Sequence, residues 1–271
     1  KDTIFIFTTD NGTASGREIF NAQMRGQKGS EYEGGHRVPF FLSWPSGGLN
    51  NARDIDQLTA HVDILPTFID LCGLKAPMDY AFDGRSLVSL LYDLPVPWSD
   101  RALVTDSQRV IDPIKWRKSA VMTEQWRLVN GKELYHINRD PSQKNNLAAK
   151  RPRVVETLRH EYDKWWDSIS PGFAVHERMV VGNDAENPAH LTGHDWLADS
   201  DNASPWHQGK IRAAKPSEGG WAIRVEQSAT YVISLRRWPR ELSHPINADL
   251  APGAAVPGLN AFRETPGKGL G

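Results

Sequence analysis

Three residues near the start of the chain offer chemistry suited to charged oxygens. Asp10 and Asn11 are adjacent in Asp10-Asn11-Gly12, and Lys28 lies between Gly26 and Gly29 in a glycine-rich stretch. A carboxylate and an amide carbonyl are both hard oxygen donors, suited to Ca²⁺ or Mg²⁺. Two donors are too few for a tight site, so other ligands would have to come from elsewhere. Lys28 adds a compact positive charge, and the flanking glycines allow close approach of backbone to a ligand. On spacing alone each feature also has a plainer reading. Asp-Asn-Gly is a common turn, and a lysine in such a loop is more often a solvated surface residue.

The elements around these residues predict how they are held. Thr3 to Thr9 is a short apolar, β-branched run, as expected of a strand covered on both faces, and it stops at the Asp10-Asn11-Gly12 turn. Open α/β sheets bind ligands just outside such strand ends. Val38 to Trp44 is a second buried-strand candidate, with Pro39 near its start, where a lost donor is tolerated. His61 to Leu74 carries Ile64, Leu65, Phe68, Ile69 and Leu71 on one broad face and reads as a helix. Pro66 fits the first turn, which puts the start near Leu65 with Asp63 as cap candidate and Gly73 as the stop. Strand, loop, strand, helix in this order indicates an α/β core.

After a Pro-rich joint at Leu94 to Trp98 the pattern changes. Arg101 to Ser107, Lys118 to Thr123, Trp126 to Asn130 and Glu133 to Asn138 read as short strands, with Asn130-Gly131 as a hairpin turn. Arg151 to Ile169 is amphipathic, with Val154, Val155, Leu158, Tyr162, Trp165 and Trp166 on its apolar side. This predicts a small antiparallel sheet packed by one helix. Beyond Ser170 the chain is rich in turn formers, with a strand pair expected at Trp221 to Val225 and Tyr231 to Leu235, and Pro252 to Gly271 carries no periodicity. The expected division is residues 1–98 for the α/β core, 99–170 for the antiparallel subdomain and 171–271 for a β-rich extension.

Composition narrows the function classes. With 271 residues and a net charge of −1, the chain has no global field to hold nucleic acid or an anionic membrane surface. No apolar run approaches the roughly 18 residues that cross a bilayer. Cys72 is the single cysteine, so an internal disulfide is ruled out, and it reads as a buried structural residue of the helix. The chain opens directly into a strand and ends without a closing element, so it is expected to be a fragment.

Four blocks now combine. Asp10-Asn11-Gly12 is followed by Gln27-Lys28-Gly29-Ser30-Glu31-Tyr32-Glu33-Gly34-Gly35-His36-Arg37-Val38-Pro39, then by Asp63-Ile64-Leu65-Pro66-Thr67, then by Glu133-Leu134-Tyr135 with Asp140-Pro141 and Asn146-Leu147. In this order they resemble the type I, formylglycine-dependent sulfatases of the alkaline phosphatase superfamily, over about the first 170 residues. The resemblance implies the C-terminal half of a sulfatase-type α/β/α core. It also implies a sulfuric ester hydrolase acting on aryl or carbohydrate sulfates, small or polymeric, exported to the periplasm or beyond the cell. By position, Asp10 and Asn11 would be two ligands of a Ca²⁺ (Mg²⁺ in some members), and Lys28 would contact a sulfate oxygen. Glu33, Gly34, Gly35 and Arg37 are expected to shape the loop, and His61, His136 and His160 to be capping or core residues, with lining of the pocket as the lesser alternative for His61.

The family's nucleophile, a formylglycine made from Cys or Ser in a Cys/Ser-x-Pro-Ser/Ala-x-Arg motif, precedes the Asp-Asn-Gly and is expected on a missing N-terminal half. Ser43-Trp44-Pro45-Ser46-Gly47 begins like that motif, but Gly47 stands where Arg is needed. The region after Ser170 resembles a β-rich extension of some bacterial sulfatases. Trp196, Trp206, Trp221 and Trp238 could stack on sugars, although tryptophans in such a module more often form its core. His194, Asp199, Asp201 and His207 are spaced too irregularly for a metal cluster. Two alternatives stay open: a phosphonate or phosphodiester hydrolase of the same superfamily, and a non-catalytic fragment whose β module binds glycans.

Overall fold

In the computed structural model, which describes residues 2–76, 81–108, 110, 112–198, 205, 207–254 and 266–270, the first apolar run forms β1 (Phe5–Thr8). It pairs antiparallel with β2 (Phe40–Ser43), Phe7 opposite Phe41. The expected cover on both faces is not found among the described residues. Phe5, Phe7 and Phe41 share one face and are 65%, 55% and 64% exposed. The alternate residues Ile6 and Leu42 are half-buried. A ribbon of two short strands shields at most one side of itself, so the second face stays bare.

Between the strands lies the glycine-rich loop, which contains the single turn α1 (Glu33–His36). A 3₁₀ turn at His61–Asp63 leads into α2 (Ile64–Leu71), and α3 (Val88–Leu91) follows. The helix ends at Leu71, sooner than the periodicity suggests. Gly73 at φ +60° lets the Gly73 and Leu74 N–H groups close back on the Asp70 and Ile69 carbonyls. Cys72 is thereby left on the rim and exposed, contrary to the expectation of a buried cysteine.

The next segment follows the sequence reading closely. Strands β3 (Leu103–Asp106), β4 (Ser119–Met122), β5 (Trp126–Val129) and β6 (Glu133–His136) form an antiparallel meander in that order. Asn130 and Gly131 both take positive φ, which the tight turn between β5 and β6 requires. Helix α4 (Pro152–Ile169) packs on one face of this sheet, burying Val121, Leu128 and Leu134 with Val155, Leu158 and Tyr162. Pro152 occupies its first turn, where no N–H is needed. On the other face Ala120, Val129 and Tyr135 pack with Tyr32 of the glycine-rich loop. These elements belong to one compact unit, Lys1–Gln108 with Ile114–Pro171.

A second unit comprises Arg109–Pro113 and Gly172–Gly271. Its strands are β7 (Met179–Val181), β8 (Trp196–Ala198), β9 (Gly219–Trp221) and β10 (Ile223–Val225). The short α5 (Gln208–Arg212) precedes β9. The predicted pairing of Trp221–Val225 with Tyr231–Leu235 does not form. Instead β9 pairs with β8 and β10 pairs in parallel with β7, which leaves Val232 and Ile233 outside any strand and 96% and 81% exposed. Trp238 is buried at 4% exposure, and Trp196 meets Trp221 edge-on at 4.6 Å. Trp206, Asp199, Asp201 and residues 255–265 lie outside the described residues. His207 Nδ1 accepts the Gly209 N–H as a helix cap. Among the described residues no helix is long and apolar enough to cross a membrane.

Candidate functional site

The turn after β1 is internally satisfied. Asn11 donates its backbone N–H to Asp10 Oδ1 at 3.0 Å and its Nδ2 to Asp10 Oδ2 at 2.7 Å. The Asp10 carboxylate faces solvent, and the Lys28 side chain is exposed as well. What brings the two segments together is backbone. The Lys28 N–H donates to the Thr13 carbonyl at 3.1 Å, and the Gly12 N–H donates to the Gly35 carbonyl at 3.0 Å.

This approach leaves no room for side chains. A Cβ on Gly12 would stand 1.9 Å from the Gly34 carbonyl oxygen, and one on Gly35 would stand 1.9 Å from that of Ser30. Gly26 and Gly29 sit at φ +85° and +82°, a region that favours glycine, so the lysine is held between two left-handed bends.

The loop is anchored to the antiparallel sheet by charge. Glu33 is 1% exposed, and its Oε1 accepts from Arg127 Nε at 2.5 Å, while its N–H donates to Gln143 Oε1 at 2.9 Å. Arg37 lies 3.5 Å from the other carboxylate oxygen. Arg25 stacks its guanidinium 3.8 Å above the Tyr32 ring and donates to the Tyr135 hydroxyl at 2.9 Å and the Gln143 carbonyl at 3.1 Å. Burial, together with the neighbouring Glu133 carboxylate, pushes the Tyr32 and Tyr135 phenols up to about 12, so both remain neutral donors. His36, half-buried beside Glu33 and Arg127, is held below its ordinary value by desolvation.

A second anchor lies under α2. Asp63 is fully buried, accepts the Ala60 and Arg85 N–H groups at 2.8 Å each, and forms a two-pronged pair with Arg101. Its side chain thus caps the 3₁₀ turn rather than α2. From that turn the exposed His61 places Nε2 2.9 Å from the Thr9 carbonyl, directly beside Asp10. The default expectation of a capping or core residue does not hold for this exposed side chain, whose contact spans 52 residues.

Asp10 and Asn11 match the donor type a Ca²⁺ takes, and among the described residues no group of three His, Cys, Asp or Glu side chains is placed to complete a metal site. The two side chains offer oxygen donors of that type, and other ligands would have to complete a site. The sequence model described as Sulfatase matches residues 1–74. Mouse steryl-sulfatase is 35% identical over 235 residues, covering 73% of this chain and 36% of the relative. Over these residues the chain is similar to sulfatases.

Other relatives agree. The N-acetylgalactosamine-6-O-sulfatase of Bacteroides thetaiotaomicron is 30% identical over 58% of this chain and 35% of its own length. Among solved structures, the crystal structure of Ps i-CgsB superposes with a TM-score of 0.53 at 26% identity, over 62% of this chain and 37% of that one. The sulfatase segment thus spans about a third of the length of the relatives it matches. The mixed helix and sheet architecture of that structure is the one found here.

Proposed function

We propose that the protein is a sulfuric ester hydrolase acting on aryl or carbohydrate sulfates, with this chain supplying part of its cation-binding and sulfate-binding site. The observation that carries the reading is the double backbone link, Lys28 to Thr13 and Gly12 to Gly35, between the carboxylate turn and the lysine loop. It holds an acidic oxygen pair and a cation on neighbouring loops at one end of β1. Relatives named for steryl and N-acetylgalactosamine-6-O-sulfates, and a neighbour solved with a neocarrahexaose, support the substrate class.

The chain's own contribution is electrostatic. Cleavage of a sulfate ester pushes negative charge toward the leaving oxygen, and a fixed ammonium group aimed at the sulfate oxygens stabilises that charge without reorganising. Lys28 fills this role, with its backbone N–H held by the Thr13 carbonyl. Asp10 and Asn11 would hold part of a Ca²⁺, or Mg²⁺, which when bound supplies a Lewis acid and a template. The nucleophile, a formylglycine by family resemblance, would come from the rest of the catalytic domain. The bare Phe5, Phe7 and Phe41 face supports an arrangement in which that remaining part covers β1 and β2.

We assign residues 1–98 to the core, 99–170 to the antiparallel subdomain and 171–271 to an accessory extension, and place the protein in the periplasm or outside the cell. The test is hydrolysis of a nitrophenyl sulfate by the complete protein. Turnover that Lys28→Ala lowers by about 10²–10³ supports the reading, as expected for the loss of one preorganised donor. Turnover unchanged by that substitution removes Lys28 from the site.

A further inference from the structure

The strand register divides the β3–β6 sheet into two chemically different faces. Arg127 and Tyr135 stand opposite each other and turn toward Glu33 and Arg25 of the lysine loop. Their neighbours Trp126 and His136, also opposite each other, lie on the α4 side with Leu128 and Leu134. At the end of that far face is a cavity of about 470 Å³, lined by Trp126, His136, Arg139, Asp140, Asn145 and Arg151 among others. Cavities of roughly 300–1,000 Å³ are the size that takes small organic ligands.

The polar groups of this cavity are unequally committed. The Asp140 carboxylate is used internally, accepting the Lys144 N–H at 3.0 and 2.8 Å and the Asn145 N–H at 2.7 Å. Among the described residues neither the Arg139 nor the Arg151 guanidinium makes an ion pair or hydrogen bond. The Nδ1 of His136 is buried with no partner, and its ring meets the edge of Trp126 at 4.8 Å. The cavity thus offers two free planar forks, the Asn145 amide and an indole surface.

Guanidinium forks match the geometry of tetrahedral oxyanions and carboxylates, and an indole gives a broad apolar surface with little entropy to lose. A lone inorganic anion would use the first feature and leave the second unused. We propose that this cavity binds a sulfated saccharide unit, at a site separated from Asp10 and Lys28 by the thickness of the sheet. The choice of a saccharide rests on the sulfated-carbohydrate reading above. Its role would be to hold a second unit of a polymeric substrate.

The experiment is calorimetric titration of the complete protein with a sulfated galactan hexasaccharide, its desulfated counterpart and ADP. The account expects binding of the sulfated sugar that weakens with added salt, and negligible binding of the desulfated one. It also expects Lys28→Ala to retain this binding and the double variant Arg139→Ser, Arg151→Ser to lose it tenfold or more. Both arginines are exposed, so the double variant should fold. Absence of binding, binding unchanged in the double variant, loss caused by Lys28→Ala alone, or tighter binding of ADP would each overturn the proposal. Nitrophenyl sulfate turnover in the double variant should stay at the wild-type level, which separates failure of this site from failure of the hydrolase reading.

Discussion

The Glu33 carboxylate, 1% exposed in the middle of the glycine-rich loop, is held by Arg127 Nε of β5 at 2.5 Å. This pair makes the antiparallel sheet a support for the lysine loop, because Glu33 lies between Lys28 and the Gly35 carbonyl that receives the Gly12 N–H. A buried pair of this kind contributes little over an apolar replacement, but breaking it strands a charge. Glu33→Gln should therefore cost about 3–5 kcal/mol in denaturant unfolding. Amide exchange at Lys28 should also quicken more than exchange in the core of α4. Equal quickening at both places would show that the pair supports the fold without a special effect on the loop.

The clash distances at the glycines predict a sharper local effect. Gly12→Ala would drive a methyl group to 1.9 Å from the Gly34 carbonyl oxygen, and backbone on both sides limits relief. Overpacking of this sort costs about 1–3 kcal/mol. The expected result is loss of stability together with weaker cation binding. An alanine variant with wild-type unfolding and wild-type cation affinity would refute the close approach.

Asp63 gives an acid-sensitive anchor. Burial alone would raise its carboxyl, but the Arg101 pair and the Arg85 and Ala60 N–H groups outweigh burial and hold it below its ordinary value of 3.8. A carboxyl lowered on folding contributes stability above that value, which is lost as pH falls through the folded pKa. Asp63→Asn should lower stability at pH 7 and flatten the dependence below about pH 4. Urea midpoints measured across that range check both parts.

His36 adds a second loss of stability on acidification, at higher pH than that of Asp63. Burial lowers its pKa against the pull of Glu33, with Arg127 and Arg37 also opposing the proton. Since the unfolded chain takes up that proton first, stability should fall as pH drops below the ordinary value of 6.5. His36→Gln should reduce the slope between pH 7 and pH 5, measured as the change in unfolding midpoint. An unchanged slope would mean that another histidine carries it.

Much of this arrangement was legible in the sequence wherever the signal was local. The Asn130-Gly131 turn and the alternating strands around it appear where expected, because register and turn chemistry are set by neighbouring residues. The α4 helix begins at Pro152 for the same reason. The features that escaped depend on partners far away in the chain. Glu33 and Arg127 are 94 residues apart, and nothing in either segment marks a buried ion pair. Apolar content predicted cover for Phe5 and Phe7, but cover depends on what packs above the ribbon. Tyr231 to Leu235 has strand composition, yet both stretches of its predicted partner pair elsewhere.

The most direct test of the central claim compares two substrates and one substitution in the complete protein. Hydrolysis of 4-nitrophenyl sulfate and of bis(4-nitrophenyl) phosphate would be measured with and without Asp10→Ala, at saturating and limiting Ca²⁺. The account predicts turnover of the sulfate, a large loss in the Asp10 variant, and a weakened response to Ca²⁺. Cleavage of the phosphate diester with the sulfate untouched, or sulfate turnover indifferent to Asp10, would contradict it.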